Sequence, residues 1–142
     1  MTYENYVKAR LIDLVRKEAA HHGGHEPMLA VAQVLANRVH AGWEGGDWIK
    51  VIENSPNYTG TINERPLSTS SRDSAFRELL RKIDEVYYET ADSSNVNTQE
   101  GEISLYYAEL HNINRSWFKE NILSDPASHP RLAQVGQITF FG

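Results

Sequence analysis

Apolar residues in the first segment of the chain, Tyr6, Ala9, Leu11, Ile12, Leu14 and Val15, recur with a loose helical period. The stripe predicts a helix that runs into Glu18, Ala19 and Ala20. The stretch His21-His22-Gly23-Gly24-His25 follows, and its paired glycines are expected to end that helix. Pro27 suits the first turn of a second helix. Met28 to His40 is apolar almost all round, through Leu29, Ala30, Ala32, Val34, Leu35 and Ala36, so this helix is predicted to be buried on most sides. Gly42 stops it. A short third helix is expected over 48–52, with Asp47 as its cap.

From Asn54 to Ser70 the pattern dissolves into Pro, Asn, Gly, Ser and Thr, the composition of a long loop. Loops of this length are usually functional or mobile. Ser70 and Asp73 then resemble a capping box. Ala75, Phe76, Leu79, Leu80, Ile83, Val86 and Tyr87 give the clearest helical stripe, ending near 92–95. Beyond it the period changes. Ile103 to Ala108 is short and aromatic and reads as extended. Trp117-Phe118 sits in a further polar stretch, and Gln137 to Phe141 reads as a strand. The fold class expected is α+β, mainly α, with a small β element.

The 142 residues are expected to form one domain, 1–142, large enough to bury its own core. There is no cysteine, which excludes disulfides, iron–sulfur clusters and thiolate zinc. The net charge of −5 argues against nucleic acid as the main partner and against a polybasic membrane anchor. No apolar run approaches the ~20 residues that span a bilayer, so no integral membrane segment is expected. Met1 to Arg10 lacks the basic start and apolar core of a signal peptide.

Four groups of residues carry candidate chemistry. Glu18 is placed near a helix C-terminus, where the dipole is negative and disfavours an ionised carboxylate. Apolar neighbours such as Leu14 and Val15 would disfavour it further by desolvation. Both effects raise a carboxyl pKa, as a general acid in glycosidic cleavage requires. The ordinary alternative is a solvated Glu beside Lys17. His21, His22 and His25, with Glu26, raise the question of zinc. Their order is wrong for a helical pair of ligands one turn apart, so no metal site is expected. Asn37-Arg38 closes an apolar helix, and a buried Asn must find partners. It either ties helix to loop or orients a catalytic carboxylate. Among the aromatics, Tyr58 and Trp117 lie in polar loops and suit sugar faces, whereas most of the others suit a core.

Taken in order, these segments resemble a known family. Leu14 to Val39 is similar to the opening block of the SleB-type cell wall hydrolases, the spore-cortex-lytic enzymes and their relatives. The matching elements are Glu18-Ala19, Glu26-Pro27 and Asn37-Arg38-Val39. Val51-Ile52 through Pro56-Asn57-Tyr58-Thr59 looks like the next block. Ser104-Leu105-Tyr106-Tyr107 resembles the family's Ala-Leu-aromatic-aromatic segment, Trp117 matches a downstream Trp, and Gly136 to Phe140 resembles a closing Gly-x-His-x-Phe. The chain departs from the pattern at Ile138, which stands for the closing His, and at Ala108. His21-His22 lengthen the turn after Glu18, and the fourth helix is a long insertion.

The resemblance implies a lysozyme-like fold and cleavage of glycan strands between N-acetylmuramic acid and N-acetylglucosamine. It implies a lytic transglycosylase in which Glu18 serves as both acid and base, so one catalytic carboxylate suffices. Glu26 is the nearest second carboxylate. Tyr58, Tyr106, Tyr107, Trp117, Glu26 and Asn37 are then expected on the substrate side. No cofactor is expected, and the protein is expected to be a monomer acting on peptidoglycan. By analogy, such a protein is made in the cytoplasm and reaches the wall through a holin or on a phage particle. The alternatives are a non-catalytic glycan-binding or virion-structural protein on the same fold, and a metal-dependent hydrolase using His21, His22 and His25.

Overall fold

A computed structural model describes residues 2–19, 25–54, 74–88, 103–109 and 116–142. Helix α1 spans Tyr3–Ala19 and α2 spans His25–His40. A 3-10 turn over Trp43–Gly46 leads to α3, Trp48–Glu53, and α4 spans Ser74–Tyr87. Strand β1, Tyr106–Glu109, precedes a short α5, Ser116–Phe118, which widens into a π turn over Lys119–Leu123. Strands β2, Arg131–Val135, and β3, Ile138–Phe141, complete the chain. The protein is therefore mainly helical, with one small antiparallel sheet of order β1-β3-β2.

The helices begin and end where local chemistry allows. Asp47 Oδ1 accepts from the backbone N–H groups of Ile49 at 3.0 Å and Lys50 at 3.3 Å, capping α3 as its sequence predicts. Pro27 sits in the first turn of α2, where its missing N–H leaves no helical bond unmade. Gly42, just past α2, takes φ +88°, a conformation that admits glycine with least strain. The C-terminal segment forms a hairpin: β2 and β3 join through Gly136 and Gln137, with Gly136 at φ +59°. Strand β2, with a register irregularity between Arg131 and Ala133, is an element that the sequence reading did not anticipate. Its mixed exposure explains this, because β2 lacks the apolar run that marks β3.

The core is built where α1, α2, α3 and α4 meet the inner face of the sheet. Val7, Leu11, Leu14 and Val15 of α1 pack with Val31, Val34 and Leu35 of α2, Ile52 of α3, Leu79 and Ile83 of α4, and Ile138 and Phe140 of β3. Nearly every residue of α2 from Pro27 to Val39 is buried, as its all-round apolar sequence requires. Burial of a large aliphatic side chain is worth roughly 1.5–3 kcal/mol. This core, rather than surface ion pairs, sets the stability. Within the described residues α4 ends at Tyr87; its expected continuation to 92–95 and its expected capping box at Ser70 and Asp73 lie outside them.

Candidate functional site

Tyr3, at the start of α1, lies beside Asp47 and Ile49, which follow α2. The two helices therefore run antiparallel. This places the expected site residues at two levels. Glu18 is the penultimate residue of α1, and Glu26 is the second residue of α2, where it is exposed. Asn37 and Arg38 stand at the far end of α2, roughly 18 Å further along its axis from His25 at about 1.5 Å per residue.

At the Glu18 level the helix end is where the sequence places it. One turn earlier, Leu14 and Val15 are fully buried. Glu18 shares the last turn of α1 with the basic Arg16 and Lys17. Tyr58, His21 and His22 lie outside the described residues, and His25 opens α2. Among the described residues no three His, Cys, Asp or Glu side chains come together as a metal-binding group.

One acid that sequence reasoning passed over is Asp13, only 6% exposed and engaged with its surroundings. The signal was present: a lone carboxylate inside Leu11-Ile12-Asp13-Leu14-Val15. Five residues of an α-helix turn the chain by about 140°, so Asp13 and Glu18 are on different faces of α1. That spacing does not make a catalytic pair of carboxylates.

At the other level, α2 is fastened to the sheet by two side chains. Asn37 Nδ2 donates to the Ser104 carbonyl at 2.9 Å, and Asn37 Oδ1 accepts from Gln33 Nε2 at 3.0 Å. Arg38 Nε donates to the Leu105 carbonyl at 2.8 Å. Both residues are more than nine-tenths buried. The Ser104 bond is of the kind that ties helix to loop, one of the two roles the sequence left open to Asn37. Ser104 adds to the seam, its hydroxyl donating to the Phe141 carbonyl at 2.9 Å. These bonds fasten α2 to the backbone that leads into β1, at carbonyls buried away from water.

The paired tyrosines separate. Successive side chains of a strand point to opposite faces. Tyr107 packs towards the core, its ring 6.1 Å from that of Phe140. Tyr106 lies between Trp43, at 5.5 Å, and His129, at 5.0 Å, with near-perpendicular rings in the second contact. The Arg38 guanidinium sits 4.8 Å from the Trp43 ring, 6.0 Å from Tyr106 and 5.7 Å from Tyr107. A partly desolvated cation among aromatic faces is held by their quadrupoles. Trp43 and His129 were not expected in this group, because each is distant in sequence and only the fold brings them to Tyr106.

Trp117 is 61% exposed, at the start of the α5–π segment, while its neighbour Phe118 packs edge-on against Phe141 at 5.3 Å. The two departures from the family pattern fall on buried positions. Ile138 is fully buried in the core cluster, and Ala108 is buried opposite Thr139. Both choices therefore serve packing at those positions.

Comparisons with protein-family models, with curated proteins and with solved structures return no match for this chain.

Proposed function

We propose that the chain cleaves peptidoglycan glycan strands on a lysozyme-like fold, with Glu18 as the general acid and then the base of a lytic transglycosylase. The observation that carries this reading is the place of Glu18, in the last turn of a helix that buries Leu14 and Val15 just before it. Protonation of a glycosidic oxygen needs a carboxyl that keeps its proton, and a helix C-terminus is one of the places where the dipole works in that direction. A mainly helical body with a small antiparallel sheet is compatible with it. Peptidoglycan would be reached from the cytoplasm through a holin or from a phage particle. No helix among the described residues is long and apolar enough to cross a membrane.

Clearing of purified cell walls tests the reading. Glu18→Gln removes the proton donor and is expected to lower the rate by about 10²–10⁴-fold, the range for loss of a general acid. Full activity in Glu18→Gln would remove Glu18 from the chemistry. Mass spectrometry of the products separates a 1,6-anhydro-muramic end, from transglycosylation, from a reducing end, from hydrolysis.

A second reading is a non-catalytic glycan-binding protein. What favours it is the separation of Glu18 from the aromatic group around Tyr106, together with an exposed Trp117. Wall binding without any clearing would select it. A metal-dependent hydrolase using His21, His22 and His25 would lose activity in chelator.

A further inference from the structure

A second set of aromatic side chains, distinct from the Tyr106 group, runs from the core to the surface. Trp48, on α3, belongs to the core cluster and is 7% exposed. Its ring stacks on that of Tyr87 at 5.4 Å, with 28° between the planes. Tyr87 meets Tyr88 edge-on at 4.9 Å, and Tyr88 is 49% exposed. The Tyr88 hydroxyl donates to a carboxylate oxygen of Glu4, on α1. Lys8, one turn further along α1, sets its ammonium 5.7 Å from the Tyr87 ring and 5.1 Å from the Tyr88 ring, and it pairs with Asp84 at 3.0 Å. The row thus joins three oxidisable rings and ends on a phenol already bonded to a carboxylate base.

We infer that Trp48, Tyr87 and Tyr88 form an electron relay that carries an oxidising equivalent out of the helical core to solvent, with Glu4 as its proton acceptor. The inference is independent of the glycan reading. The chain has no cysteine, the residue that usually takes up oxidants, so its aromatic rings are left to do so. When a one-electron oxidant removes an electron from Trp48, an indole radical cation remains. An electron then passes from Tyr88 through the Tyr87 ring to Trp48, and the phenolic proton of Tyr88 moves to the Glu4 carboxylate in the same step. Trp48 is restored, Tyr88 becomes a neutral phenoxyl radical and Glu4 becomes a neutral carboxylic acid. The positive charge on the indole and the negative charge on Glu4 are cancelled together. A soluble one-electron reductant at the surface then returns an electron to Tyr88, and Glu4 returns the proton.

Electrostatics couples the electron to the proton. A phenol that lost an electron and kept its proton would be a cation, and the Lys8 ammonium beside both rings opposes that. A phenoxyl radical is neutral, so Lys8 does not oppose it, and Glu4 is in place to take the proton. The same bond to Glu4 raises the Tyr88 pKa, so the proton stays on the phenol until the electron leaves. Trp43 is the contrasting case. Its ring lies 4.8 Å from the Arg38 guanidinium, whose charge disfavours loss of an electron there.

The test is flash photoionisation at a wavelength that indole absorbs and phenol does not, with dissolved oxygen to remove the ejected electron. The protein carries Trp43→Phe and Trp117→Phe, which leave Trp48 as its sole indole. Transient absorption and electron paramagnetic resonance distinguish indole radicals from phenoxyl radicals. Conversion of the Trp48 radical into a phenoxyl radical is expected, and it should slow in deuterium oxide because a proton moves with the electron. Adding Tyr88→Phe keeps the ring and removes the phenolic proton, so the phenoxyl signal is expected to be lost. Adding Glu4→Gln keeps a hydrogen-bond acceptor and removes the base, so the conversion is expected to slow. A phenoxyl signal that persists in Tyr88→Phe, or an unchanged rate in Glu4→Gln, would overturn the relay. If the thermal midpoint shows that the doubly substituted protein does not fold, the wild type is compared with Trp48→Phe. Trp48→Phe should then give less phenoxyl radical, and equal yields would overturn the relay.

Discussion

Asn37 shows how one side chain can join two parts of a fold. Its amide reaches across 67 positions to the Ser104 carbonyl, in a buried setting where that carbonyl has no water to fall back on. Asn37→Ala strands the acceptor and is expected to lower stability by about 1–3 kcal/mol. Chemical denaturation measures it, and an unchanged midpoint would show that the seam rests on Arg38 alone. Thr139 is the converse. Its Oγ1 is buried without a hydrogen-bond partner among the described residues. Thr139→Val keeps the shape and removes the unsatisfied hydroxyl, so a gain of up to about 1 kcal/mol is expected in the same assay. A loss would mean that the hydroxyl is satisfied in solution.

At the scale of elements, the seam between α1 and α4 is held by titrating groups. The Tyr88 hydroxyl donates to a Glu4 carboxylate oxygen, and this bond raises the Tyr88 pKa. Burial opposes the charge of Lys8, but the bond to Asp84 at 3.0 Å outweighs it, and the Lys8 pKa is also raised. Burial likewise raises Tyr87, whose ring stacks on Trp48 at 5.4 Å. In each case folding favours the protonated form. The contribution is complete below the unfolded value of about 10 and disappears as pH rises through the folded-state values. Thermal midpoints are therefore expected to fall above about pH 10, and to fall less steeply in Tyr88→Phe. Parallel curves for the two proteins would rule Tyr88 out of the alkaline transition.

Across the whole molecule, the arrangement puts Glu18 at one end of α2 and the aromatic seam at the other. Under the proposed function a strand reaching both ends of α2 would be longer than a disaccharide, so the ratio of turnover on intact strands to turnover on disaccharide-sized fragments is expected to fall in Trp43→Ala. A constant ratio would show that the aromatic seam takes no part.

Much of this was legible in the chain. Four helices, the Asp47 cap, the Gly42 stop and the closing strand followed from period and turn chemistry, because those signals act within a few residues. The burial of α2 followed from its all-round apolar sequence, and the place of Glu18 near a helix end followed from the glycine pair. Other features depended on packing between distant segments. β2 was missed because its residues alternate weakly, and its register is imposed by β3. Tyr106 and Tyr107 read as one group until the strand sent them to opposite faces. Trp43, His129 and Arg38 converge on Tyr106 only when α2 docks on β1. Sequence alone determines which segments coil, which extend and which carboxylate ends a helix, since these are local balances of burial and backbone geometry. Tertiary structure decides which side chains meet, since contact between residues far apart in the chain depends on how the helices and the sheet close over one core.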